Sequence, residues 1–185
     1  MKEKTPINLL EVVCNQPTDG TVVTQAINLM EAEYQREGGN LRDKSAEELD
    51  ELVSVRGQLW TASINEEVIA THTIEAVEGE TDLWMYLNNG VVSPLYRNQS
   101  SGVMDMLLDT AMSEQTLSNN FFVISVVWGI FDRLGFTELT LEELEKIDPV
   151  IAGIVAKKIR PGTKVHLGIK KGNSHERKIK HGKVG

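Results

Sequence analysis

Val92-Ser93-Pro94-Leu95-Tyr96-Arg97-Asn98-Gln99-Ser100-Ser101-Gly102 lies between an apolar extended run and an amphipathic helix pattern. It describes a strand that ends in a tight backbone loop opening onto a helix N-terminus. Such a loop aims unpaired N–H groups at one point, where the helix dipole adds partial positive charge, and so seats a phosphate or pyrophosphate. Pro, Asn and Ser ahead of a helix are also ordinary loop and capping residues in any α/β protein, so the stretch has to be weighed against its surroundings.

Upstream, Leu83, Met85, Leu87 and Val91 alternate with Trp84, Tyr86, Asn88 and Val92, aliphatic and aromatic on both faces, as in a central strand. Pro94 cannot donate to a ladder, so pairing stops near it and the backbone of Val91 to Ser93 is expected to splay from a neighbour. Downstream, Val103, Met106, Leu107, Thr110 and Ala111 recur at helical spacing.

At 185 residues the chain is long enough for one domain with a full core, and 41% hydrophobic with 25% charged residues is a globular balance. A single cysteine, Cys14, excludes an internal disulfide framework and a multi-cysteine metal site, which fits a reducing cytoplasm. No apolar run approaches the ~18 residues of a membrane span, and the N-terminus leads into no signal-like apolar core, so the expected protein is cytoplasmic with no membrane partner. Residues 1–156 carry 9 Lys/Arg against 26 Asp/Glu, net −17, and residues 157–185 carry 10 against 1, net +9, giving the overall −8. An acidic body argues against nucleic acid and suits a cationic amine; it also suits a plain solvated surface. Residues 173–185, with Arg177, Lys178, Lys180 and Lys183, read as a basic flexible tail behind a single domain over residues 1–172.

Outward from the central strand, residues 7–13 predict a first strand, and the apolar spacing from Val22 to Tyr34 predicts a helix stopped by Gly38-Gly39. Ser45 with Glu48 forms a capping-box pattern for a second helix reaching Gly57. Residues 59–64 and 68–77 flank Asn65-Glu66-Glu67 as a hairpin. After the motif helix come a buried strand at residues 120–124, a short helix with Ser125 placed to cap it and Gly135 at its end, and a strand at 136–139. Helical sequence broken near Asp148-Pro149 and a last strand at 164–169 follow.

The Val92–Gly102 stretch resembles the acyl-coenzyme-A motif of the GNAT superfamily of N-acetyltransferases, Val-x-Pro-x-Tyr-Arg-Gly/Asn-x-Gly-x-Gly/Ala, with Ser100 where that pattern has its first glycine. Ile130-Phe131-Asp132-Arg133-Leu134-Gly135-Phe136 is similar to the family's Leu-Tyr-x-Lys-x-Gly-Phe element, in the right order about thirty residues later. The element order also matches over nearly all of residues 5–172. The resemblance implies an α/β (α+β) fold, a mixed and mostly antiparallel sheet of about seven strands flanked by helices and splayed between strands 4 and 5. It implies acetyl-CoA as cosubstrate, no metal, and transfer of the acetyl group to an amine of a small molecule or peptide.

By the same resemblance, pyrophosphate would lie on the N–H groups of Asn98, Gln99, Ser100, Ser101, Gly102 and Val103. Arg97 would stand at the loop's mouth or serve as a surface charge. Val91 and Val92 would offer backbone groups to the pantetheine arm, and Phe131 occupies the position of a tyrosine that protonates the departing thiolate in many members. Phenylalanine has no hydroxyl, which points to a slower enzyme, a substitute acid, or a catalytically degenerate acyl-CoA-binding or protein-interaction member. A thiol of pKa ~8.5 still leaves tolerably as its anion.

The candidate catalytic groups are Glu75 and His72, which an odd spacing places on opposite faces of one strand, and Tyr86 on the central strand; each is more readily read as a structural residue. His166, His175 and His181 lack metal-ligand spacing, and Cys14 has no histidine near it in sequence. No Walker or Rossmann glycine pattern competes. A homodimer is left open.

Overall fold

The computed structural model of the chain describes residues 8, 11–34, 51, 57–97, 102–115, 119–159 and 161–172. Among these, seven strands form a sheet in the order β1-β2-β3-β4-β5-β7-β6. The sheet is mixed and mostly antiparallel, with β4 parallel to β5 and splayed from it, and helices flank it. Apart from Glu51, which is helical, the second helix expected before Gly57 lies outside the described residues, as does the basic tail. Contacts gather into two compact units, Met1–Ala76 with Leu87–Met112, and Val77–Tyr86 with Ser113–Gly185. The central strand β4 (Leu83–Val92) contributes to both.

In the first unit, β1 (Val13–Asn15) pairs antiparallel with β2 (Gly57–Ile64), and β2 with β3 (Glu67–Glu78). The turn residues Asn65 and Glu66 are both left-handed (φ 50 and 67), which a two-residue hairpin turn needs to match strand twist. Helix α1 (Gly20–Tyr34) starts where Asp19 Oδ1 accepts from the Thr21 N–H at 2.6 Å, and these backbone bonds hold the Asp19 carboxyl below its usual range. It buries Ala26, Ile27 and Met30 against Leu59, Val68 and Val91. Gln25 fastens it to the hairpin, accepting from Val68 N at 3.1 Å. Helix α2 (Val103–Ser113) buries Val103, Met104, Leu107, Leu108, Ala111 and Met112, the stripe its spacing predicts.

The second unit holds the start of β4, β5 (Asn120–Ser125), β6 (Thr137–Glu138) and β7 (His166–Lys170), with β7 antiparallel to both β5 and β6. Around them run α3 (Gly129–Arg133), α4 (Leu141–Ile147) and α5 (Pro149–Lys158). Trp84, Tyr86, Phe122, Leu144, Ile151, Val155, Leu167 and Ile169 form the core. Thr140 and Glu143 make a reciprocal capping box on α4. Asp148 both ends α4 and caps α5, whose first residue Pro149 needs no amide partner there.

Two local expectations are corrected. The first strand is Val13–Asn15 rather than 7–13, because strand length is set by what β2 can pair with, and Val13 stands opposite Ser63. Ser125 does not cap α3. Its Oγ accepts from Val127 N at 3.0 Å and donates to Val127 O at 2.8 Å, closing a local turn, and α3 begins at Trp128 without a side-chain cap.

Candidate active site

β3 carries His72 and Glu75. The register sets Trp60 opposite His72 and Leu59 opposite Thr73, so His72 shares a face with Trp60, and Glu75 shares the other with Thr73 and Leu59. Leu59 lies in the core under α1. On the opposite face, a Cβ at Gly90 would come within 3.1 Å of His72 Cδ2 and 3.7 Å of Met104 Cε, so the glycine leaves room for the imidazole next to α2.

His72 is 2% exposed, and no described residue hydrogen-bonds its Nδ1. Burial pushes its pKa down to about 3. The ring is therefore neutral at pH 7 and poorly matched to a base's work there, since an efficient base has a pKa near the working pH. Trp60 Nε1 on the same face and Thr71 Oγ1 on the other are also buried without a hydrogen-bond partner among the described residues. Glu75 is half-buried at the more open end of the strand.

Within β4, Asn89 is left-handed (φ 53) in the middle of extended backbone. Its N–H donates to Asn88 Oδ1 at 2.8 Å and its Nδ2 to Thr73 Oγ1 at 2.9 Å, while the Thr73 hydroxyl donates to Asn88 O at 3.1 Å. Asparagine tolerates this conformation better than most residues, and a left-handed residue in a strand bends it as a bulge does. Beyond the bend Val91 is buried and Val92 half-buried. Ser93 N still donates to Ile69 O at 2.8 Å, so pairing to β3 persists until Pro94.

Residues 93–97 then form one turn, with the N–H groups of Tyr96 and Arg97 both donating to Ser93 O. Arg97 folds back: its Nη2 donates to Val92 O at 3.1 Å and forms an ion pair with Glu33 Oε2 of α1. Asn98, Gln99, Ser100 and Ser101 lie outside the described residues. Gly102 O accepts from Met106 N at 2.9 Å, so it opens α2, and Val103 is fully buried. Asp105 adds a carboxylate to the first turn.

The other two candidates belong to the second unit. Tyr86 is buried, stacked on Phe122 with centroids 4.7 Å apart, and Lys158 Nζ lies 4.7 Å from its ring centroid. Phe131 is buried beside Phe136 (5.5 Å, edge-on) and Trp128 (6.3 Å). Trp128 in turn covers Gly168, where a Cβ would meet its ring at 2.5 Å.

The sequence matches no protein-family model and no curated protein. Solved structures do match it. A Corynebacterium glutamicum protein of the kind "histone acetyltransferase HPA2 and related acetyltransferase" superimposes with TM-score 0.64 and 13% identity, over 88% of this chain and 97% of that one. An acetyltransferase from Streptococcus agalactiae gives 0.59 and 17%, over 87% and 98%. A GNAT family acetyltransferase from Brucella melitensis, in complex with acetyl-CoA, gives 0.56 and 16%, over 68% and 82%.

The fold is that of the GNAT acetyltransferases. In this GNAT fold the connection from β4 to α2 is the segment whose sequence carries the acyl-coenzyme-A resemblance, and Val91, Val92, Arg97, Gly102 and Val103 fall in one compact unit around it. Two residues at the site escape the sequence reading. Asn89 had a visible signal, since Asn-Asn-Gly inside a strand pattern marks a bend. Glu33 had none, because its pairing with Arg97 is made only by tertiary structure.

Proposed function

We propose that this chain is an acetyl-CoA-dependent N-acetyltransferase that moves an acetyl group to a primary amine of a small molecule or peptide. The observation that carries the reading is the course of one segment. The stretch that resembles the acyl-coenzyme-A motif begins where a bent central strand ends, at Val92, and its last residue, Gly102, opens an eleven-residue helix. By the resemblance, backbone N–H groups of that stretch, with the guanidinium of Arg97, would supply the chemistry a diphosphate requires. The Val91 and Val92 backbone is the natural rail for a pantetheine arm, which can pair with it as an added strand.

In the reaction the amine nitrogen attacks the thioester carbonyl carbon, the C–S bond breaks, and the amine's proton must leave. Glu75, half-buried on β3, is the better acceptor of that proton, because a His72 held near pKa 3 takes it up weakly at neutral pH. Tyr86 is the remaining hydroxyl candidate for proton donation to the thiolate, and Phe131 supplies none. A second reading, a degenerate member that binds acyl-CoA or a protein partner without turnover, is favoured by that same Phe131, which packs as a plain core aromatic.

Calorimetric titration with acetyl-CoA, followed by detection of free thiol across a panel of primary amines, separates the two. Saturable binding with amine-dependent thiol release supports the enzyme. Binding without release supports the degenerate acyl-CoA-binding member, and no binding at millimolar acetyl-CoA overturns the enzyme and every acyl-CoA-binding reading.

A further inference from the structure

We infer that Lys158 is a self-acetylation site, the chain's own primary amine held against the ring of Tyr86. This rests on the acetyl-CoA reading above, with Tyr86 as the group that protonates the departing thiolate. Lys158 closes α5, where Ile151, Val155 and Lys158 recur at i, i+4 and i+7, so the lysine continues the stripe that packs on Trp84, Tyr86 and Phe122. Its neighbour Lys157 follows the exposed Gly153 on another side of the helix. Although Lys158 is an exposed residue, its Nζ lies 4.7 Å from the centroid of the buried Tyr86 ring. Phe122 stacks on the same ring at 4.7 Å with planes 11° apart, and two groups that close cannot share a face, so the ammonium takes the other. Cation–π attraction holds it there. Among the described residues no hydrogen bond or ion pair occupies that nitrogen, whereas Lys170 Nζ is spent on Leu134 O at 2.8 Å.

A thioester whose sulfur takes its proton from the Tyr86 hydroxyl lies at the rim of the ring whose face Lys158 covers. Rotation about the last torsions of the flexible lysine stem carries the nitrogen from ring centre to rim, into the ~3–3.5 Å range that reacting atoms need. After losing a proton to water, which its exposure admits, Nζ attacks the thioester carbonyl carbon. An N–C bond forms, the C–S bond breaks, and the thiolate takes the Tyr86 proton, which solvent restores. The product is a neutral amide, and the ring loses its cation.

The test is peptide mapping by mass spectrometry of the full chain incubated with acetyl-CoA. The acetyl group is expected first on Lys158, with a rate constant independent of chain concentration and at least about tenfold that of Lys157, which is also exposed but does not follow the buried stripe. Tyr86→Phe keeps the ring and removes the hydroxyl, so labelling of Lys158 should slow about a hundredfold while that of Lys157 stays unchanged. Labelling of Lys158 no faster than that of Lys157, a rate constant that rises with chain concentration, or Tyr86→Phe without effect overturns the inference, even where the unaltered chain acetylates an added amine. Failure of the unaltered chain to bind acetyl-CoA would instead overturn the acetyl-CoA reading itself.

Discussion

Asp148 in the second unit and His72 in the first are buried to nearly the same degree, 3% and 2% exposed, yet they are treated oppositely. The Asp148 carboxylate accepts from the N–H groups of Glu80, Val150 and Ile151 at 3.0–3.2 Å and from Trp84 Nε1 at 2.9 Å. Its charge is spread over donors that themselves need partners: a helix N-terminus, a loop amide and an indole. The imidazole of His72 meets no donor or acceptor at Nδ1 among the described residues, and burial answers by stripping its charge. The first arrangement is what a structural polar group looks like when the fold is built around it. The second leaves hydrogen-bonding capacity unspent, and Trp60 and Thr71 share that condition.

The contrast breaks most visibly at Asp148. Asp148→Ala removes the cap of α5 and orphans the Trp84 indole and the Glu80 amide together, so a loss of about 3–5 kcal/mol is expected in denaturant unfolding. Gly79 restates the same packing, since a Cβ there would meet Asp148 Oδ2 at 2.2 Å and the Trp84 ring at 2.7 Å. If Asp148→Ala unfolded with less than about 1 kcal/mol of change, the carboxylate could not be the organising group of its unit.

His72 gives the next effect, and it depends on pH. Its folded pKa of about 3 lies below the unfolded value of 6.5, so between the two the unfolded chain binds the extra proton. The contribution is complete above pH 6.5 and drains away as pH falls toward 3, amounting to about 2 kcal/mol by pH 5. Thermal unfolding of the parent chain and of His72→Gln, compared from pH 7.5 to 5, should show a steeper acid loss in the parent. Parallel curves would mean that the imidazole is hydrated in solution and not desolvated.

How much of this was legible beforehand follows the range of the forces involved. β4 begins at Leu83 and ends at Val92 as its alternation and Pro94 dictate, and the Asn65 turn and the break at Asp148-Pro149 rest on neighbours in sequence. β1 slipped to Val13–Asn15 because its limits are set by pairing to β2, far along the chain. Ser125 has the right chemistry for a cap, but two backbone groups of Val127 were closer. At the site, the motif marked the segment from Val92 to Gly102, while the Glu33 pairing, the stacking of Tyr86 on Phe122 and the orphaned nitrogen of His72 are products of tertiary packing that no local pattern encodes.

Thr71 offers the smallest and most discriminating test. Its hydroxyl is fully buried with no hydrogen-bond partner among the described residues, and valine has nearly its shape. Replacing an unsatisfied polar group by an apolar one of equal size recovers its desolvation cost, so Thr71→Val should stabilise the chain by about 1 kcal/mol. A buried water satisfying the hydroxyl would reverse the sign, since the substitution would then orphan that water. Chemical denaturation reads the sign directly. A stabilised variant would mean that the first unit tolerates unspent polar groups that the second unit, around Asp148, does not. A destabilised one would place ordered water inside the first unit and erase the difference between the two.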